Sequence, residues 1–278
     1  MSAYEMLCLD LDGTLLNSEH RISKKTAKTV RKISDKLPVI LVSARPPAGI
    51  IPFQEELGLQ EALIAYSGAL ILDREGNTIF DRIIPFSELQ QLYISFKDTV
   101  HISIYHAHNW FVENWDYWAC QEAEITGLTP ELLNFETIFS SEVTTRDENI
   151  AVKTIDGANK VLCMGNPELI QKISPQLTEL LEDVICHQSK PAYLEIMKKG
   201  VSKSAAIERL AGIYGIKRKE IIAVGDNFND LDMIKYAGLG IAMGNAPDEL
   251  KEAADEITAD NNSEGVVRVI EKYWKNFG

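Results

Sequence analysis

Five short runs of apolar residues frame this chain: residues 6–9, 39–42, 63–66, 221–224 and 239–242. Each is too short for a buried helix, and none alternates as a strand with one wet face would. Runs of this kind are strands covered on both faces, the mark of a parallel sheet. Amphipathic stretches separate them. Residues 23–36 place Ala27, Val30 and Ile33 on one helical face behind Ser23 as N-cap. Pro46, Pro47 and Pro52 start and punctuate a helix that stops near Gly58. Residues 202–214, 229–237, 248–253 and 263–273 read as further helices, the last capped by Ser263. Arg74-Glu75-Gly76-Asn77, between residues 69–72 and 78–81, predicts a hairpin. Strand and helix in alternation predict an α/β fold built on a parallel sheet.

The texture changes after about residue 84. Residues 87–98 read as a helix, 101–106 and 110–113 as paired strands around 107–109, and 118–126 as a helix. A second round follows, with strands at 149–155 and 160–164, a helix at 167–180 and a strand at 183–187. Two such rounds predict a separate α+β unit at 84–188, inserted into a core made of 1–83 and 189–278. A length of 278 residues suits about two domains at roughly 150 residues each.

The chemistry gathers where apolar runs end. Residues 6–9 lead straight into Asp10-Leu11-Asp12-Gly13-Thr14. In extended backbone, residues two apart point to one side, so Asp10 and Asp12 are expected to face one space. That space lies at the carboxyl end of a strand, where open α/β sheets bind ligands. Two close carboxylates repel, and Mg²⁺ with oxygen ligands is the simplest relief. Gly13 lets the backbone turn and approach a ligand. Gly225-Asp226-Asn227-Phe228-Asn229-Asp230 follows the run 221–224 and brings a third carboxylate, Asp226, to an equivalent strand end. Ser43-Ala44-Arg45 ends the run 39–42, where a hydroxyl and backbone N–H groups suit a phosphate. Lys203 opens a helix, against the dipole's preference for anions, and a phosphate partner would account for it.

In this order the four elements resemble the haloacid dehalogenase-like phosphatase superfamily, most closely its Cof-type, sugar-phosphatase-like branch with a large inserted cap. The resemblance covers the whole chain. It implies a Rossmann-like parallel sheet core and an α+β cap that sets substrate choice. It implies Asp10 as the nucleophile that takes the phosphoryl group, and Asp12 as the acid for the leaving oxygen and the base for water. Mg²⁺ would be held by Asp10, the Asp12 backbone carbonyl and Asp226, with Asp230 behind it orienting ligands. Ser43, Lys203 and Asn229 would hold the transferring group together with the Leu11 and Ala44 N–H groups. The implied activity is Mg²⁺-dependent hydrolysis of a small phosphorylated metabolite, a sugar phosphate first among the candidates. A phosphoryl transferase or mutase on the same scaffold, or a non-catalytic phosphometabolite-binding regulator, are the alternatives. The branch often carries Thr-Gly-Arg and Asn-Gly-Ala where this chain has Ser43-Ala44-Arg45 and Ser67-Gly68-Ala69. Glu195 matches an acidic position ahead of the motif lysine and is expected to support Lys203 or a nearby loop.

Composition narrows the partners. A net charge of −13 speaks against a nucleic-acid surface. No polybasic membrane patch, no run near the ~18 apolar residues of a spanning helix, and no signal-peptide core is present, so a cytoplasmic location without membrane contact is expected. Four scattered cysteines suit a reducing compartment. His106 and His108 stand two apart, as a metal pair could, amid Trp110, Trp115, Tyr117 and Trp118. Those aromatics suit either the core of the insert or closure over a substrate.

Overall fold

The short apolar runs become fully buried strands, the run 63–66 only as far as Ala65. The computed structural model of the protein describes residues 4–139 and 155–274, and the chain divides into two compact units, 1–80 with 201–278 and 81–200. The first unit begins with β1 (Met6–Leu9), α1 (Lys24–Ser34), β2 (Val39–Val42), α2 (Ile51–Leu57), β3 (Leu63–Ala65), β4 (Leu70–Leu72) and β5 (Thr78–Asp81). The second contains β6 (Ile84–Pro85), α3 (Phe86–Phe96), β7 (His101–His106), β8 (Asn109–Val112), α4 (Tyr117–Thr126), β9 (Glu131–Leu132), α5 (Phe135–Phe139), β10 (Gly157–Ala158), β11 (Lys160–Met164), α6 (Pro167–Leu180), β12 (Val184–Lys190) and β13 (Tyr193–Lys198). The first unit resumes with α7 (Lys203–Tyr214), β14 (Ile221–Gly225), α8 (Leu231–Tyr236), β15 (Leu239–Ala242), α9 (Asp248–Ala253), β16 (Glu256–Ile257) and α10 (Gly265–Tyr273).

The sheet of the first unit runs β16-β15-β14-β1-β2-β3-β4-β5 and is parallel from β16 to β3. The central strand β1 has β14 on one side and β2 on the other, in register Leu9↔Val224 and Leu9↔Leu41. The strand order reverses about β1, which opens a crevice beyond the strand ends. Every residue of β1, β2, β14 and β15 is buried. At roughly 1.5–3 kcal/mol for each large apolar side chain removed from water, these strands anchor the unit. Helix α1 starts at the predicted cap, with Ser23 Oγ accepting from Thr26 N at 3.1 Å, and buries Ala27, Val30 and Ile33. Helix α2 stops at Gly58, which takes the left-handed φ of 69°. The last helix departs from expectation: Glu264 precedes α10 in a left-handed conformation without a side-chain cap. Ser263 instead gives its hydroxyl to Asp260, because the Asp260–Ser263 turn consumes it locally.

The second unit carries a six-stranded sheet, β12-β13-β11-β7-β8-β9, and a small pair, β10-β6. Its core packs Ile102, Ile104, Phe111, Val161, Cys163 and Ile196 with Leu89, Leu92 and Phe96 of α3 and Ile170, Ile173 and Leu177 of α6. On the strand positions between them, Tyr105 OH donates to Glu122 and Tyr193 OH to Gln121 of α4. Residues 81–83 and 189–200, read above as core, belong to this unit, the second stretch because β13 pairs antiparallel with both β11 and β12. The strand expected at 149–155 falls on residues 149–154, outside the described residues, and Ile155 lies in no strand. Among the described residues no helix is long and apolar enough to cross a membrane.

Candidate active site

Three strand ends and one helix start converge in the first unit. Asp10 follows β1, and its N–H donates to Val224 O at 3.1 Å, holding it level with the end of β14. Asp226 follows Gly225 at the end of β14. Ser43 follows β2, tied by its N–H to Ile64 O. Lys203 is the first residue of α7, whose cap Ser202 accepts from Ala205 N.

Carboxylate oxygens of Asp10, Asp226 and Asp230 all lie within 4.8 Å of one another, the one such acidic group among the described residues. Lys203 Nζ reaches into this group, 2.6 Å from Asp10 Oδ1 and in contact with Asp230 Oδ1. The lysine is 1% exposed and Asp230 0%, so these charges depend on each other. Burial pulls the Lys203 ammonium toward neutrality, but Asp10 and Asp230 outweigh it and hold the group above its ordinary range. Two carboxylates of the protein itself thus partner the lysine that opens this helix. Burial and Asp230 push the Asp10 carboxyl well above its usual range, against the pull of Lys203. Burial lifts Asp226 to about 6, opposed by the hydroxyl of Thr14, which donates to Asp226 Oδ1 at 2.8 Å.

Asp230 spends both oxygens inside the protein. Oδ1 meets Lys203, and Oδ2 accepts from the N–H groups of Asp226 and Asn227 at 2.9 and 3.0 Å. It builds the turn that carries Asp226. Gly13 sits against the same carboxylate at a φ of +81°, and a Cβ there would stand 2.1 Å from Asp226 Oδ2, so no side chain fits.

Asp12 is not in the carboxylate group. The chain leaves extended geometry after Asp10: Leu15 N and Leu16 N return to the carbonyls of Asp10 and Leu11, so the two-residue alternation of a strand no longer applies. Both Asp12 oxygens are instead taken by Arg45, through Nε at 2.7 Å and Nη2 at 2.6 Å. Ser43 is buried, and its hydroxyl accepts from Arg45 N at 3.1 Å. Leu11 is buried in the turn and Ala44 partly buried beside Ser43. Asn229 lies exposed on the single turn Phe228–Asp230, and helix α8 begins only at Leu231, later than the pattern predicts.

Two residues that the sequence reading passed over complete the site. Asn245 Nδ2 donates to Gly13 O at 2.9 Å and lies 3.4 Å from Asp226 Oδ2. Asn245 Oδ1 accepts from Asn261 N, and Asn261 Nδ2 donates to Leu16 O at 2.8 Å. The loop that follows Asp12 is thereby clipped at Gly13 and at Leu16. The only advance signal is an asparagine next to glycine after an apolar strand, which reads equally as a plain turn.

Glu195 belongs to the second unit, where its carboxylate lies 3.6 Å from Lys160 Nζ. Despite burial, Lys160 holds the Glu195 carboxyl below its ordinary range. His106 Nδ1 meets Gly157 O at 2.6 Å while His108 is exposed, and neither joins a metal-binding group among the described residues. Trp110 is buried and stacked on Tyr105, Trp118 meets Tyr193 edge-on, and Trp115 and Tyr117 are exposed. All four cysteines are free.

The family model for haloacid dehalogenase-like hydrolases matches residues 7–270, which spans every element of this site. The chain belongs to the haloacid dehalogenase-like hydrolases. Within that family it is 33% identical over 275 residues to a Haemophilus influenzae protein provisionally assigned as a phosphatase, covering 97% of this chain and 98% of the other. It is 29% identical over 280 residues to the 5-amino-6-(5-phospho-D-ribitylamino)uracil phosphatase YitU of Bacillus subtilis, covering 97% of each. A haloacid dehalogenase-like hydrolase from Bacteroides thetaiotaomicron superposes with a TM-score of 0.85 at 29% identity, over 97% of this chain and 99% of that one. The chain is a phosphatase of this hydrolase family.

Proposed function

We propose that this phosphatase is Mg²⁺-dependent and hydrolyses a small phosphorylated metabolite, a sugar phosphate first among the candidates, through a phosphoryl group carried on Asp10. The observation that carries this reading is Asp10 itself: buried at the end of the central strand, bonded to Lys203 and crowded by Asp226 and Asp230. The donor set suits a hard divalent cation, being oxygen throughout, with the Asp10 and Asp226 carboxylates close together. Burial first, and the nearby Asp230 after it, raise the carboxyls of Asp10 and Asp226, and a bound cation would favour their charged forms. Asp10, the Asp12 carbonyl and Asp226 would hold Mg²⁺, with Asp230 keeping the Asp226 turn in place. When bound, Mg²⁺ neutralises charge on Asp10 and on the oxygens of the transferring group.

The residues then divide the work. Asp10 attacks phosphorus through a carboxylate oxygen, and the bond to the leaving oxygen breaks as Asp12 gives it a proton. Asp12 next takes a proton from water as the water attacks the phosphoryl group, which frees phosphate and restores Asp10. Lys203 donates hydrogen bonds to Asp10 and Asp230, and its third ammonium proton would serve a phosphoryl oxygen. Ser43, Asn229 and the N–H groups of Leu11 and Ala44 would hold the remaining oxygens. The second unit would select the leaving group. The 5-phosphoribityl group in the name of the Bacillus subtilis relative's substrate supports a phosphorylated sugar-like chain as the first class to try. A panel of sugar, nucleotide and aryl phosphates, assayed for free phosphate with Mg²⁺ and with EDTA, tests the reading. Turnover on the panel that EDTA abolishes and Mg²⁺ restores is expected. Turnover indifferent to EDTA would overturn it.

A further inference from the structure

We propose that Arg45 is a positioning residue for the reaction: it holds the Asp12 carboxylate in place, and through Asp12 it governs proton delivery to the leaving group. The inference rests on the reading of Asp12 as acid and base, and it gives a task to the third residue of Ser43-Ala44-Arg45. Among the described residues, Arg45 is the one hydrogen-bonding partner of the Asp12 side chain. His20 Nδ1, at 3.7 Å, stands beyond hydrogen-bond reach. Asp12 is 45% exposed on a turn, so without Arg45 its side chain would be free to change rotamer. A proton donor serves only within hydrogen-bond reach of the atom it protonates, so its orientation has to be set.

An exposed ion pair usually contributes little, because two long side chains must be ordered to make it. Arg45 is ordered beforehand. Its N–H donates to Ser43 Oγ at 3.1 Å, and its carbonyl accepts from Tyr66 N at 3.1 Å. Its stem packs on Gly49, where even a Cβ would come within 3.4 Å of it. Nη1 reaches Gly49 O at 3.3 Å, and the guanidinium carbon lies 5.5 Å from the centre of the Phe53 ring. The fork is therefore built before Asp12 meets it, and two parallel N–H···O bonds fix the plane of the carboxylate. Lysine, a single point of charge on a flexible stem, cannot reproduce that.

Two substrates of similar shape separate this role from a structural one. p-Nitrophenyl phosphate releases a stabilised phenolate and needs little protonation, whereas benzyl phosphate releases an alkoxide and depends on it. The ratio kcat/KM covers only the steps up to departure of the leaving group, and comparing two substrates on one preparation cancels any misfolded fraction. Arg45→Ala is expected to lower kcat/KM for benzyl phosphate about 10–100-fold, and for p-nitrophenyl phosphate less than about 3-fold. Arg45→Lys is expected to stay nearer to Arg45→Ala than to the parent. In an Asp12→Ala background, Arg45→Ala is expected to cost no more than about 2-fold, because its target is gone. Equal losses on both substrates, or the full loss persisting in the Asp12→Ala background, would overturn the proposal while leaving Asp12 as acid and base. Asp12→Ala with undiminished benzyl phosphate turnover would overturn that reading first, and the proposal with it.

Discussion

Ser67 is held at a φ of 52° and ψ of 28°, between Tyr66 at a φ of 50° and Gly68 at 104°. The left-handed region costs an ordinary L residue roughly 1–2 kcal/mol, and glycine and asparagine escape most of that. At Gly68 nothing larger fits, since a Cβ would stand 2.2 Å from Ser202 O. The backbone here is shaped for the Asn-Gly pair common in the branch that this chain resembles, and serine occupies it under strain. Ser67→Asn is expected to stabilise the protein by about 0.5–1 kcal/mol in denaturant unfolding, and a loss of stability would contradict the strain argument. Ala44, the other departure from the branch pattern, is not among the residues with positive φ, so its methyl group meets no such penalty. Both departures were legible in the sequence. Which of them is strained was not, because strain is a property of φ, and φ here is set by the contact with α7.

At the scale of elements, the site consists of strand ends bound together by turns distant in sequence. Strand ends could be read directly: a continuous apolar run followed by a carboxylate predicts Asp10 after β1 and Asp226 after β14. Asn245 could not be read, because its meaning depends on Gly13 O, 232 residues away along the chain. Arg45 on Asp12 was equally hidden, since extended alternation predicts a shared Asp10–Asp12 space that the turn after Asp10 removes. The Asn245 amide holds the Gly13 turn against Asp226 and so shapes the place where the cation would bind. Asn245→Ala is expected to raise the Mg²⁺ concentration needed for half-maximal thermal stabilisation about 10-fold, as loss of a partner of a metal ligand does elsewhere. An unchanged Mg²⁺ midpoint, with only a lower melting temperature, would reduce Asn245 to a structural clip.

For the molecule as a whole, the α/β class and the separate second unit were legible because continuous and alternating apolar patterns differ. The far boundary was misplaced because β13 pairs along both edges with β11 and β12, and pairing leaves no trace in a single run of residues. The net charge of −13 takes on a local meaning at the site, where three carboxylates crowd one lysine. In the metal-free protein Asp226 titrates near 6, above its ordinary 3.8, through burial first and Asp230 next, against Thr14. The folded state thus binds a proton that the unfolded state has released between those values, and this group's contribution to stability declines as pH rises from about 4 through 6. In EDTA, Asp226→Asn is therefore expected to gain melting temperature relative to the parent over that rise. A difference between the two proteins that does not vary with pH would show that Asp226 is not strained by its surroundings. Whether Asp10 itself carries the phosphoryl group is decided by Asp10→Asn, which keeps the shape of the side chain but removes the nucleophile. With saturating Mg²⁺ and the best ester of the panel, phosphate release is predicted to fall by about 10³-fold or more in a protein that melts as a folded chain. Release within about 10-fold of the parent would contradict the account.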